Sequence, residues 1–156
     1  MGNKSQQFTI FKENGSVGKF PLSPGPFPIA LLLTAAFAQV LNIRSQNGSY
    51  NRAVTLLVWC ATFGAVVAGL LGWAHSGPVQ AGENGLMSSH RWIGTLILLG
   101  TPVLVWVMRR AARTDGGLSK NTVFSVMLFG FAFAVAVQGF LGGSLAHGGM
   151  KHLMPM

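Results

Sequence analysis

The sequence predicts an all-α integral membrane protein, a bundle of four transmembrane helices. Three observations predict this fold class: half of the 156 residues are apolar, only 9% are charged, and the charged residues lie between four long uncharged stretches. An ordinary soluble domain carries about 25% charged residues. We therefore expect a chain whose surface faces lipid, and a water-soluble enzyme is excluded.

The uncharged stretches define the expected spans. A helix needs about 20 mainly apolar residues to cross the hydrocarbon core, and each stretch allows one such helix. The predicted spans are 27–43, 53–73, 91–108 and 121–141. They form a membrane domain over residues 27–150, preceded by a polar extension at 1–26 and ending in a Gly/His/Met-rich segment at 142–156.

Each span has local features that favour it. Pro28 suits the first turn of a helix, and the apolar run IALLLTAAFAQVL follows it. The second and fourth spans carry small residues at spacings of three or four, which let helix backbones approach closely in lipid. Near their centres, Gly64 and Gly130 serve this packing or make room for a flat cofactor. The third span opens with Arg91 and the interfacial Trp92.

The basic residues predict the orientation. The chain has 11 Lys and Arg against 3 Asp and Glu, a net charge of +8. Because these residues lie between apolar stretches, we expect them to orient the chain in a bilayer and not to bind nucleic acid. The loops 44–52 and 109–120 hold six of them, whereas the opposite side has Arg91 and Lys151 next to the spans and Lys4, Lys12 and Lys19 in the N-terminal tail. The positive-inside rule then predicts that both termini lie outside.

The histidines predict a haem site. All four fall on the outer side of this topology: His75, His90, His147 and His152. His90 stands at the predicted start of the third span, and His147 lies in a glycine-rich run after the fourth. Two facing imidazoles can ligate a haem iron. We therefore predict a b-type haem on His90 and His147, with Arg91 facing its propionates and Trp92 and Phe140 forming apolar walls. The alternative is that these histidines are only polar anchors in the headgroup region.

Other residues in the sequence are considered as haem or metal ligands. The single Cys60 excludes a CxxCH motif and with it a c-type haem bound through two thioethers. The C-terminal run holds soft donors suited to Cu(I), although methionine at a membrane surface is more often an apolar filler: His147, Met150, His152, Met154 and Met156. The sequence contains no nucleophile–base pair, nucleotide loop or acidic metal motif, so we expect no independent enzyme.

Three short motifs carry a resemblance to a known family. They are FPIALLL at 27–33, HRWIGTLILL at 90–99 and GGSLAHG at 142–148. In this order they resemble the uncharacterised bacterial four-helix membrane family found beside, or fused to, planctomycete-type cytochrome c domains. The resemblance implies a membrane subunit of a respiratory-type electron-transfer complex in the bacterial inner membrane, and the positive-inside orientation then places both termini in the periplasm. Its implied partners are other membrane subunits, the lipid bilayer, and a c-type cytochrome or quinol.

The resemblance also bears on the haem. His90 and His147 match histidines of that family, so haem b is expected on them. Members often have further histidines before FPIALL and before the double glycine, where this chain has Pro26 and Phe140. These departures leave a second interpretation open, a cofactor-free membrane anchor or scaffold subunit of a larger redox complex.

Overall fold

The computed structural model describes residues 26–45, 47–76 and 85–146. Their helices are α1 (Pro26–Ser45), α2 (Asn51–Ser76), α3 (Gly85–Ala111), the short α4 (Gly117–Lys120) and α5 (Thr122–Ala146). No strand occurs in these residues. The helices α1, α2, α3 and α5 are long and apolar enough to cross a membrane. The all-α, four-transmembrane-helix fold class predicted from the sequence is therefore confirmed.

The four long helices pack in a ring. α1 packs against α2 and α5, and α3 packs against the same two helices. Neighbours run antiparallel, because Ile29 near the start of α1 lies beside Gly139 near the end of α5. We call the end that holds Ser76, His90 and Gly142 the histidine end. The opposite end, which holds Ser45, Asn51 and Lys120, is the arginine end.

The core and the outer surface are both apolar. Leucine and valine side chains fill the centre, among them Leu32, Val58 and Leu104, which are completely buried. Phe63 and Phe133 point outward and are 74% and 73% exposed. In water such a surface would drive aggregation, whereas lipid chains solvate it and the helices satisfy their own backbone hydrogen bonds. The packing thus agrees with four helices that cross a bilayer.

The helices extend beyond the predicted spans because residues outside the uncharged stretches continue them, among them Arg44, Arg52, Arg109 and Arg110. α1 begins at Pro26, which the sequence placed in the polar extension, since proline is tolerated in a first helical turn. α3 begins at Gly85, so His90 lies inside the helix and not at its start. α5 continues to Ala146, so Gly142 and Gly143 are helical and do not begin a separate segment. Residues 1–25 and 147–156 lie outside the described residues.

The small residues bring the helices close together. A Cβ atom at Gly64 would lie 3.3 Å from Cγ of Pro28, and one at Gly69 would lie 3.0 Å from Cβ of Leu98. These glycines therefore let α2 approach α1 and α3. A Cβ atom at Gly130 would meet nothing within 4 Å, so Gly130 faces outward. In this structure Gly64 serves helix packing.

Candidate functional site

His90 joins α3 to α5 at the histidine end. The Gln138 amide nitrogen, Nε2, donates to the His90 carbonyl oxygen at 2.9 Å and lies 3.3 Å from the His90 ring atom Nε2. An amide NH₂ group only donates, so Nε2 of the imidazole is the acceptor. In a neutral ring the proton then resides on Nδ1, which is buried with no hydrogen-bond partner among the described residues.

Gly142 lets the imidazole reach this position. A Cβ atom on Gly142 would lie 3.1 Å from Cε1 of His90, tighter than an ordinary van der Waals contact. The ring thus occupies space that any larger residue at this point of α5 would fill. Gly142, which the sequence predicts to begin a C-terminal segment, lies in α5 and makes a helix contact.

Arg91 connects α3 to the end of α2. Its guanidinium lies 5.2 Å from the ring centroid of Trp73, and Nη2 donates to the Ser76 carbonyl oxygen at 3.4 Å. The Trp73 indole donates to Oγ1 of Thr95 at 3.0 Å, which fixes the ring beneath the cation. Arg91 is only 6% exposed, and a cation at a helix C-terminus is stabilised by the helix dipole. Arg91, predicted to face haem propionates, therefore holds two helices together here.

The structure separates the other predicted site residues. Trp92 and Phe140 were expected to wall the haem, but they are 59% and 57% exposed on the outer surface. His147 and the methionines of the proposed copper set lie outside the described residues. Among the described residues, no group of three or more His, Cys, Asp and Glu side chains lies close enough to hold a metal ion. The haem and copper sites stay predictions.

His90, the member of the predicted ligand pair that the structure describes, is not arranged to ligate a haem iron. Nε2 of His90 already accepts from Gln138, and the ring edge lies against Gly142. An iron on this atom would require Gln138 to move away from it. Nδ1 is the one His90 side-chain atom that is buried without a hydrogen-bond partner among the described residues, so it is the atom that needs a further partner.

A second polar site, which the sequence analysis missed, lies inside the arginine end. Gln39 is completely buried, and its Nε2 donates to the Leu118 carbonyl oxygen at 2.8 Å and to Oγ of Ser125 at 2.9 Å. Asn42 Nδ2 donates to Oε1 of Gln39 at 3.3 Å and to Oδ1 of Asn51 at 2.8 Å. We call Gln39, Asn42, Asn51 and Ser125 the amide network. It joins α1, α2, α4 and α5.

The missed residues share one property. Gln39, Asn42 and Gln138 are polar but uncharged, and a segmentation by charge passes over them. A signal was available, since an amide inside an otherwise apolar span is costly unless another helix supplies its partners. Their presence in the predicted spans would have indicated helix contacts, although the sequence does not show which helices meet.

The comparisons with known proteins agree with this architecture. A family described as "Predicted membrane protein (DUF2231)" matches residues 26–152, a range that includes all four long helices. No curated protein and no solved structure matches the chain. The match confirms the uncharacterised membrane family that the sequence motifs suggested, while the link with cytochrome c domains stays a prediction. With four helices able to span a bilayer and a match over most of its length, the chain belongs to the DUF2231 family of predicted membrane proteins.

Proposed function

We propose that this protein is a membrane subunit of an electron-transfer complex and that it serves there as a cofactor-free anchor. The observation that carries the anchor role is the use of His90 and Arg91, the two polar residues best suited to a cofactor. Nε2 of His90 accepts from Gln138, and Arg91 lies on Trp73 and the end of α2. Both side chains hold helices together. The electron-transfer role is supported by the resemblance of the three motifs to the cytochrome-associated family.

The outer surface suits an anchor. Large apolar side chains project outward from all four long helices, among them Phe37, Phe63, Leu99 and Phe133. Lipid covers such a surface, and so does the helix of another membrane subunit, because helix association in lipid depends on packing and not on a difference in polarity. The partners in this proposal are other membrane subunits of the complex, together with a c-type cytochrome or quinol.

We propose the bacterial inner membrane as its location, with both termini in the periplasm. The support is charge asymmetry: six exposed basic side chains project from the arginine end, namely Arg44, Arg52, Arg109, Arg110, Arg113 and Lys120. At the histidine end, Arg91 is the one Lys or Arg among the described residues, and it is buried. The positive-inside rule favours the arginine end in the cytoplasm.

Cysteine labelling tests this orientation. In a Cys60→Ala background, Ser49→Cys and Ala112→Cys place thiols at exposed sites of the arginine end, and Gly85→Cys places one at the histidine end. An impermeant thiol reagent applied to intact spheroplasts should label only Gly85→Cys, and permeabilised cells should label all three. Labelling of Ala112→Cys in intact spheroplasts would reverse the orientation.

A b-type haem near the periplasmic face, held by His90 and His147, is the second candidate. One observation favours it: the buried Nδ1 of His90 has no partner among the described residues. This candidate requires a low-spin b-type spectrum from the purified chain, lost in both His90→Ala and His147→Ala and retained in His75→Ala. The anchor proposal requires a colourless chain that still assembles with its partners.

Isolation from the membrane tests the anchor proposal itself. The tagged chain, extracted in a mild detergent from its native membrane, should elute in a larger complex that contains a haem protein. Treatment with a harsher detergent should then release the chain without colour. Recovery as a monomer or homo-oligomer alone, after mild extraction at several detergent concentrations, would contradict the proposal.

A further inference from the structure

Two cavities meet at the arginine end. The first, of about 420 Å³, is an open groove on the outer face of α2 that runs from Asn51 and Arg52 through Thr55 and Leu56 to Trp59. The second, of about 360 Å³, lies between the loop before α2 and the segment around α4, is also open to solvent, and has a polar lining. Asn51 lines both cavities. A polar chamber therefore adjoins a groove that becomes apolar toward the membrane.

The amide of Asn51 is fixed where the cavities meet. Its Oδ1 accepts from Asn42, so its Nδ2 points away from the amide network. A Cβ atom would lie 2.7 Å from this nitrogen if placed on Gly48 and 3.5 Å if placed on Gly117. Both glycines have positive φ, 70° and 58°, so each loop uses a conformation that other residues rarely adopt. Nδ2 has no acceptor among the described residues and remains available as a donor.

The charges around this donor favour an anion. Arg52 lines the groove and Lys120 lines the chamber, so basic side chains flank Asn51 from both cavities. Asp115 also lines the chamber and is the one carboxylate there. The exposed Arg44, Arg109, Arg110 and Arg113 add positive charge at the same end. An anionic group with hydroxyl donors suits this set, because the hydroxyls can donate to Asp115.

The apolar part of the groove identifies the rest of the ligand. Leu56 and Trp59 are 65% and 47% exposed and line the groove below Arg52. Tryptophan is enriched at the level of the lipid headgroups, where its ring borders both acyl chain and water. The chamber, at about 360 Å³ and open to solvent, is wide enough to admit a headgroup. Along the site, the polar chamber is followed by the flanking cations and then by the apolar groove. A lipid has the same order of headgroup, phosphate and acyl chain.

We propose that the arginine end binds the headgroup of one phosphatidylglycerol molecule. The phosphodiester lies between Arg52 and Lys120 and accepts from Nδ2 of Asn51. The glycerol hydroxyls enter the chamber beside Asp115, and an acyl chain follows Leu56 and Trp59 along α2. Basic pockets between transmembrane helices are a recurring mode of headgroup recognition. This proposal stands independently of the electron-transfer role.

Native mass spectrometry of the full chain tests the site. The delipidated chain in a neutral detergent is titrated with phosphatidylglycerol, and the first bound lipid is followed. Arg52→Gln/Lys120→Gln should weaken this step about tenfold. The matched control Arg44→Gln/Arg109→Gln removes the same charge from the same end, outside both cavities, and should change the affinity less than twofold. Phosphatidylcholine should bind at least tenfold more weakly than phosphatidylglycerol.

Three outcomes would overturn the proposal. Equal weakening by both double variants would mean that general surface charge attracts the lipid. Equal affinity for phosphatidylcholine would mean that no anionic headgroup is recognised. Equal or tighter binding of phosphatidylethanolamine would mean that Asp115 and the basic residues recognise a zwitterion instead. Circular dichroism of each variant in the same detergent checks that the helices are retained.

Discussion

The arginine end and the histidine end hold their helices together with opposite arrangements of charge. At the arginine end the cations lie on the surface, and uncharged amides cross the interior as a connected donor–acceptor chain. At the histidine end the cation itself is buried, and Arg91 and His90 each make separate contacts with one neighbouring helix.

This difference has an energetic consequence. In the amide network each donor of Gln39 and Asn42 has an acceptor, so loss of one member leaves several buried partners unsatisfied. At the histidine end the His90–Gln138 contact and the Arg91–Trp73–Thr95 contacts are separate from each other, so loss of one leaves the other in place. The arginine end should therefore be the more sensitive to single substitutions.

Replacement of Gln39 should have the largest effect. Gln39→Leu keeps a similar volume but leaves the Leu118 carbonyl and one Asn42 donor without these partners, while Ser125 Oγ keeps only its bond to the Asn121 carbonyl. We expect a loss of about 2–3 kcal/mol in the free energy of unfolding, measured by SDS titration in mixed micelles. The control Thr34→Ala removes a hydroxyl on an exposed face of the same helix and should cost less than about 0.5 kcal/mol. Equal effects would contradict the network.

The adjacent glycines of α5 provide a second comparison, with effects of opposite sign. Gly142→Ala gains helix propensity, as Gly143→Ala does, but it places a methyl group 3.1 Å from the His90 ring, and an overpacking cost of about 2 kcal/mol should leave a net destabilisation of about 1 kcal/mol. At Gly143 a Cβ atom meets nothing within 4 Å, so Gly143→Ala should stabilise α5 by up to about 1 kcal/mol through helix propensity. The same SDS titration measures both. Two changes of the same sign would mean that His90 does not pack against Gly142.

The two ends differ in how much of their structure could be predicted from the sequence. Absence of charge located the four helices, because lipid excludes charge from a span. The same criterion marked Arg91 at the edge of an uncharged stretch, and the ligand chemistry of imidazole marked His90 beside it. It could not find the pairs Gln39–Ser125 and His90–Gln138, whose members are 86 and 48 residues apart. Such contacts depend on which helices are neighbours, and one sequence does not specify the order of helices in a ring.

Two arginines provide the smallest contrast. Arg91 is buried on Trp73 and bonded to Ser76, whereas Arg110 is exposed and lies 5.5 Å from the ring centroid of Trp106. Lysine keeps the charge but loses the planar stacking. Arg91→Lys should therefore cost about 1 kcal/mol and Arg110→Lys less than about 0.5 kcal/mol. A larger effect for Arg110→Lys in the SDS titration would show that Arg91 does not join the helices.

The central claim is that His90 is a helix-joining residue whose Nε2 atom accepts from Gln138. Nitrogen-15 NMR of the histidine rings, on the full chain in mild detergent, tests it most directly. The account predicts that neutral His90 carries its proton on Nδ1, and that Gln138→Met shifts the Nε2 resonance while His75 is unchanged. A His90 ring with its proton on Nε2, or with Nε2 bound to the iron of a b-type haem and indifferent to Gln138→Met, would contradict the account.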